Sequence, residues 1–314
     1  MIRIGLDVMG GDFAPRAILA GAELARDVLP EDARIVLVGD KEIIGKQLDD
    51  FPLLKECAEI VHAPEVIEMG DHPTKAFSRK QESSIVIGFR LLEEKEVDAF
   101  ASAGNTGAML VGTTMTVKTI PGVIRPTIAA TLPGIHGGQT VILDVGIAPD
   151  SKPDVLFQYG LLGSLYAQYV FKIHEPRVAL LNIGSEPSKG NLVTRSAYEM
   201  MKDTRRYHFV GNIESNELFT ADKADVVVCD GFVGNVVLKE AESFYSVAKA
   251  RGIKDDFLER FNFENYGGTP VLGVNGNVII GHGISNETAI KNMLHQTLKI
   301  VRAELTKKII KAFN

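Results

Sequence analysis

Five turns carry most of the side chains that could do chemistry, and each directly follows a short apolar run. They are Asp7-Val8-Met9-Gly10-Gly11-Asp12, Ser102-Ala103-Gly104-Asn105-Thr106-Gly107, Asp144-Val145-Gly146, Asn182-Ile183-Gly184-Ser185-Glu186 and Asp230-Gly231-Phe232-Val233-Gly234-Asn235. Gly10 and Gly11 let the backbone turn sharply, so successive N–H groups can form an anion nest, and Pro15 suits the first turn of a helix whose dipole also favours an anion. The same glycines would serve a tight strand-to-helix turn with no ligand. Asn105 and Thr106 supply amide and hydroxyl groups where a helix begins, and either could equally be its N-cap. Lys189, in the stretch after Glu186, could hold a phosphate or polarise a carbonyl as a point charge, or could simply be solvated. Asp230 could act as acid, base or orienter and Asn235 as an oxyanion donor; their plainer roles are turn stabiliser and helix start.

Elements of alternating type must position these turns. Residues 2–8, 34–38, 58–62, 99–102, 141–144, 177–181, 207–210 and 226–229 read as strands, most of them apolar on both faces. Helical patterns at 15–27, 41–49, 83–94, 106–117, 153–169, 191–203 and 236–250 separate them. The alternation predicts an α/β fold with a doubly wound, mostly parallel sheet, and ligands of such sheets bind beyond the carboxyl ends of the strands. Two stretches break the rhythm. Extended runs at 127–132 and 139–143 flank a Pro133-to-Gly138 turn, and runs at 270–274 and 277–280 flank Asn275-Gly276, which predicts a hairpin. Without a repeat or linker, the expected organisation is one α/β unit over residues 1–314, with two lobes around a central cleft.

Composition narrows the classes of function. The 314 residues are 45% hydrophobic, enough for one or two sizeable cores, and the net charge of −6 offers no footprint for nucleic acid. A local basic pair, Arg79-Lys80, could still bind an anion. Cys57 and Cys229 are the only cysteines and read as thiols of a reducing compartment. No run approaches the roughly 20 apolar residues of a membrane-spanning helix, and the start of the chain shows no signal-peptide pattern, so a cytoplasmic protein is expected.

The ordered set of motifs resembles the PlsX-type phosphate acyltransferases. It comprises Asp7 to Asp12 with Ala14-Pro15, Arg79-Lys80 with Ser83-Ser84, Ser102 to Gly107, Arg125-Pro126, Thr131-Leu132-Pro133, Asp144-Val145-Gly146 and Lys152-Pro153. Lys189-Gly190-Asn191, Asp230-Gly231-Phe232 with Gly234-Asn235, Asn265-Tyr266-Gly267-Gly268, and His282-Gly283 with Ser285 continue it, so the match covers nearly the whole chain. The resemblance implies a fold similar to isopropylmalate dehydrogenase and phosphotransacetylase, a homodimer, and conversion of acyl-acyl carrier protein and inorganic phosphate into acyl phosphate for bacterial phospholipid synthesis. No metal or redox cofactor is required, and phosphate needs no strong protein base. An anion nest, cations and donors aimed at a developing oxyanion are the parts such chemistry needs.

On this reading Lys189 and Asn235 are the expected catalytic pair. Gly10, Gly11, Asn105, Thr106 and Gly107 would shape the phosphate pocket, and Asp7, Asp144 and Asp230 would fix loop geometry. Arg79, Lys80 and His282 complete the expected substrate-binding set. The chain departs from the family pattern at Ile147-Ala148, where Ala and Asn are usual, and at Phe13, where histidine is common. Residues 239–264 form a shorter segment than the family's amphipathic membrane-anchoring tip. Its apolar positions Phe244, Val247, Ala248, Phe257, Leu258, Phe261 and Phe263 suit either a peripheral membrane contact or a dimer contact. Alternatives are a phosphate acetyl- or butyryltransferase acting on acyl-CoA, and a non-catalytic lipid or carrier-protein scaffold. A NAD-dependent hydroxyacid dehydrogenase would share the fold, but the chain has neither a Gly-x-Gly-x-x-Gly motif nor a paired Asp cluster for a metal. Acyl chain length is not legible, since channel depth depends on packing.

Overall fold

The computed structural model describes residues 1–314. Its strands in chain order are β1 (Ile2–Asp7), β2 (Ala33–Gly39), β3 (Glu59–His62), β4 (Ala99–Ser102), β5 (Thr127–Pro133), β6 (Gln139–Leu143), β7 (Arg177–Leu181), β8 (His208–Ile213), β9 (Val226–Val228), β10 (Gly268–Leu272) and β11 (Asn277–Gly281). The chain divides into two compact units, Met1–Thr119 with Phe263–Thr306, and Ile120–Asn262 with Lys307–Asn314.

In the first unit the strand order is β3-β2-β1-β4-β11-β10, parallel except for the β10–β11 hairpin. Residues of β4 are buried throughout, as a central strand covered on both faces requires. The helix Ser84–Glu93 packs on this sheet through an edge-to-face chain of Phe77, Phe89 and Phe100, with centroids 6.1 and 5.3 Å apart. The helix Arg16–Ala25 lies so close to Glu287–Arg302 that a Cβ on Gly21 would meet Ile290 Cβ at 2.4 Å.

In the second unit the order is β5-β6-β9-β7-β8, parallel except that β5 and β6 form an antiparallel hairpin. The long helix Pro153–Val170 covers it, and Gly163 admits Val226 and Leu143 side chains where a Cβ would lie about 2.5 Å away. The hairpin loop is clamped by Arg260, whose guanidinium donates to the carbonyls of Gly134 (2.8 Å) and Gly138. Arg177 and Asp225 pair at 3.0 Å and tie β7 to the segment entering β9.

The strands expected from the alternation are present, as are both hairpins. The β10–β11 loop differs in its chemistry: Gly273 takes the positive φ (+87°), while the Asn275 side chain donates to the carbonyls of Lys118 (3.2 Å) and Thr119 (3.0 Å). Asn275 therefore pins a neighbouring segment and is not the left-handed residue of a two-residue turn. The expected helix at 106–117 is α-helical over Thr106–Gly112 and then widens to a π-turn at Thr113–Val117, where the Thr113 hydroxyl donates to Met109 O at 2.7 Å. The helix expected from 236 begins at Gly231, because Asp230 caps it by accepting the Val233 N–H at 2.8 Å. The helices Glu287–Arg302 and Leu305–Phe313 lie beyond the segments that the alternation identified.

Candidate functional site

In the first unit β4 lies between β1 and β11 and runs parallel to both, so the turns that follow them leave one sheet edge. Asp7 at the end of β1 is fully buried. Its Oδ1 accepts the Met9 N–H at 3.0 Å, and its Oδ2 accepts the Ser102 hydroxyl at 2.6 Å. Ser102 Oγ in turn accepts the Gly104 N–H at 2.9 Å, joining the first turn to the second. Burial raises the Asp7 pKa, and hydrogen bonds from Ser102, Ser84, Met9 and Gly10 oppose that rise. Gly10 is required by space: a Cβ there would lie 2.3 Å from Asp7 Oδ2 and 2.8 Å from Gly104. Gly11 is required by conformation, with φ +108°, and it brings the Asp12 N–H onto Gly283 O at 2.8 Å. The turn after β11 is thus tied to the turn after β1.

Asn105 is 5% exposed and uses its whole amide. Oδ1 caps the following helix through the Ala108 N–H (3.0 Å), and Nδ2 faces the carbonyls of Glu68, Met69 and Asp71 at 3.0 to 3.2 Å. Thr106 is exposed at the start of the helix, and Gly107 makes room for Pro73, whose Cγ would lie 2.3 Å from a Cβ. Lys80 donates to Val66 O (2.6 Å) and pairs with Asp71 (2.7 Å), which holds the Asp71 carboxyl below its ordinary value. Lys80 and Asn105 therefore converge on one loop, residues 66–71, and both bond Asp71. Arg79 is exposed. His282 stands at the end of β11, its ring 4.9 Å from that of Phe263, and its carbonyl accepts the Ser285 hydroxyl.

In the second unit β6, β9 and β7 are parallel neighbours, and their following turns carry Asp144, Asp230–Asn235 and Lys189. Asp144 is fully buried inside its own turn. Its carboxylate accepts the N–H groups of Gly146 (3.1 Å), Ile147 (3.1 Å) and Ala148 (2.7 Å); burial raises its pKa and these bonds oppose the rise. The departure at Ala148 thus falls on a residue whose backbone N–H holds Asp144 and whose carbonyl accepts the Gly231 N–H at 2.8 Å. Gly234 lies against Asp144 O so tightly that no Cβ fits. Asn235, exposed at the start of the helix Gly231–Ala250, donates to Val145 O at 3.1 Å.

Lys189 is exposed, and its ammonium enters none of the protein's ion pairs. Its stem passes over Gly184, where a Cβ would lie 2.9 Å from Lys189 Cγ. The same Cβ position would lie 3.0 Å from Glu186 Oε2, and Ile183 and Leu192, before and after this stretch, are 80% and 73% exposed, so the edge presents a cation outside any ion pair. Residues absent from the sequence-derived site are Ser102, Asn182 and Asn212. Ser102 and Asn182 stand inside motifs already singled out, whereas Asn212 falls past the expected end of its strand at 210 and carries no local signal.

A family model described as "Fatty acid synthesis protein" matches residues 2–308. The chain belongs to that family. Among the relatives of the fatty acid synthesis protein family, the phosphate acyltransferase of Dictyoglomus turgidum is 40% identical over 332 aligned positions, covering 100% of this chain and 98% of the relative. The phosphate acyltransferase of Salinibacter ruber is also 40% identical, covering 99% and 97%. A solved phosphotransacetylase from Streptococcus pyogenes superposes with a TM-score of 0.67 at 16% identity, covering 96% of this chain and 94% of that one. That likeness concerns the fold, and it agrees with the doubly wound, mostly parallel sheet expected from the alternation of elements.

Proposed function

We propose that this chain moves a fatty acyl group from acyl-acyl carrier protein to inorganic phosphate. Full-length relatives named phosphate acyltransferase support the reaction class, and the unpaired Lys189 is the observation that carries its assignment to this edge. A phosphate oxygen attacks the thioester carbonyl carbon, the C–O bond forms, and the C–S bond breaks to release the carrier's thiol once the thiolate takes a proton. Lys189 places phosphate or stabilises the oxyanion through its charge. Asn235 Nδ2 has two N–H groups; Val145 O takes one, and the other suits the thioester oxygen. Within the first unit Gly10, Gly11, Asn105, Thr106 and Gly107 shape the strand-end turns proposed to hold phosphate, with Asp7 holding them rigid, and within the second Asp144 and Asp230 hold the turns rigid. Arg79 and His282 remain assigned to substrate binding, whereas Lys80, expected there from the motif, is occupied by Asp71 and Val66 O and holds the 66–71 loop instead.

The test is acyl phosphate formation by the purified protein from acyl-acyl carrier protein, with and without phosphate and with acyl-CoA in parallel. Lys189→Ala and Asn235→Ala should each lose about 10²- to 10³-fold in kcat while remaining folded. Wild-type turnover in both would sink the pair, and a preference for acyl-CoA would favour the acetyl- or butyryltransferase reading.

We also propose that the protein is a homodimer built on the exposed face of the helix Gly231–Ala250. Val236 and Val247 are 54% and 56% exposed, and eleven residues, about three turns, separate them, so they share one face. Phe261 is unsuited to an outward role. It is buried against Phe219, Phe244 and Phe257, with centroids 5.1 to 5.5 Å away, and thus belongs to an internal aromatic cluster. Sedimentation equilibrium should give a dimer for the wild type and a monomer for the double variant Val236→Lys, Val247→Lys. A monomeric wild type that floats with anionic liposomes, and a variant that does not, would assign the face to a membrane instead. No helix of the protein is long and apolar enough to cross one.

A further inference from the structure

The loop that carries Lys189 is held from beneath by a side chain of a different strand. Between β7 and β8 the register shifts: Val178 pairs with Phe209 and Leu180 with Asn212, two steps along β7 against three along β8. The extra residue is a β-bulge, and Gly211 in it has φ +98°, a conformation other residues adopt only under strain. A bulge reverses the alternation of side chains beyond it, which sets the direction in which Asn212 points.

Asn212 is 8% exposed. Its Nδ2 donates to Glu186 O at 2.9 Å, and the same carbonyl accepts the Lys189 N–H at 3.1 Å. One carbonyl oxygen therefore links Asn212 to the backbone of Lys189. A second amide completes the hold, since Asn182 Nδ2 donates to Lys189 O at 3.2 Å. Asn212 Oδ1 is buried with no partner. Burying an unpaired carbonyl oxygen is unfavourable, and an apolar residue of the same volume would avoid it, so the amide's contribution at this position is its donor.

We infer that Asn212 is a positioning residue for the acyl transfer, fixing through Glu186 O the backbone from which Lys189 projects. The inference rests on the assignment of Lys189 proposed above. A cation on a loop allowed to shift by about 1 Å loses roughly ten- to a hundredfold in rate, without any change in binding of a distant part of the substrate.

The experiment measures acyl phosphate formation by the full-length protein for Asn212→Asp, which keeps the shape and removes the donor, and for Asn212→Ala. Both are crossed with Lys189→Ala, with kcat and KM taken from the steady state and the chemical step checked in single turnovers with enzyme in excess. In the wild-type background each Asn212 variant should lose roughly ten- to a hundredfold in kcat, with KM for the acyl donor changed less than about twofold. In the Lys189→Ala background the same changes should cost less than about twofold, because the group they position is gone. An equal loss in both backgrounds would make Asn212 a structural residue and overturn the inference. So would wild-type kcat in the folded Asn212 variants when Lys189→Ala is impaired. Wild-type activity of Lys189→Ala itself would break the underlying assignment instead. If the buried carboxylate of Asn212→Asp prevents folding, Asn212→Ala carries the comparison alone.

Discussion

The turn after β4 and the loop after β7 are built from the same residue types, yet they end in opposite states. In the first, Asn105 is buried and its amide meets a helix N-terminus and three carbonyls, while nearby Lys80 is neutralised by Asp71. In the second, the amides of Asn182 and Asn212 bond backbone in the same way, but Lys189 is left exposed outside any ion pair. The first arrangement uses its polar groups to fix a shape. The second uses them to present one charge. The difference teaches that an asparagine or lysine in a glycine-rich turn is informative only once its partners are known, because a satisfied polar group has little left to offer a ligand.

The largest effect expected from this contrast is on stability. Asn105→Ala removes a helix cap and takes the Nδ2 donor from the carbonyls of Met69 and Asp71, and should cost about 3 kcal/mol in denaturant unfolding. Lys189→Ala should move the thermal midpoint by less than about 2 °C, since no contact of the fold depends on its ammonium. Equal destabilisation by the two changes would break the distinction between framework and presented charge.

A smaller effect sharpens the same contrast through pH. Burial raises the folded-state pKa of Asp7, so its contribution to stability is fully present below the unfolded value of about 4 and is lost as pH rises through the folded value. Asp7→Asn cannot titrate. The gap in unfolding free energy between wild type and Asp7→Asn should therefore shift against the wild type as pH rises from about 4, measured by denaturant melts at successive pH values. A gap that does not vary with pH would mean that Asp7 has the same pKa folded and unfolded.

The fold was legible because its signals are local and periodic. Apolar runs such as 99–102 and 177–181 become strands with those bounds, and the two hairpins follow from turn residues between extended runs. The candidate site was legible only as a set of strand-end turns, since glycines close behind Asp7 and Asp144 mark places where the chain must bend sharply after a strand. What each side chain does there was not legible. Lys80 and Lys189 are both lysines near motif residues, and only the placement of Asp71 separates a structural ion pair from a free cation. The apolar stripe of residues 257–263 likewise suited a surface until Phe261 was found beneath Phe219 and Phe244.

The amino-acid sequence by itself determined the family, the alternation of strand and helix, and the positions of the turns. The alternation and the turns follow from composition and spacing, which act over a few residues, while the family rests on the ordered motifs and on similarity over the whole chain. Tertiary structure alone decided which polar groups are satisfied and which are presented. It brought Asn212, through a one-residue bulge in β8, onto the carbonyl that positions Lys189, 23 residues earlier in the chain. Hydrogen-bond partners separated so far along the chain meet only when the sheet has paired, and no local pattern records that meeting.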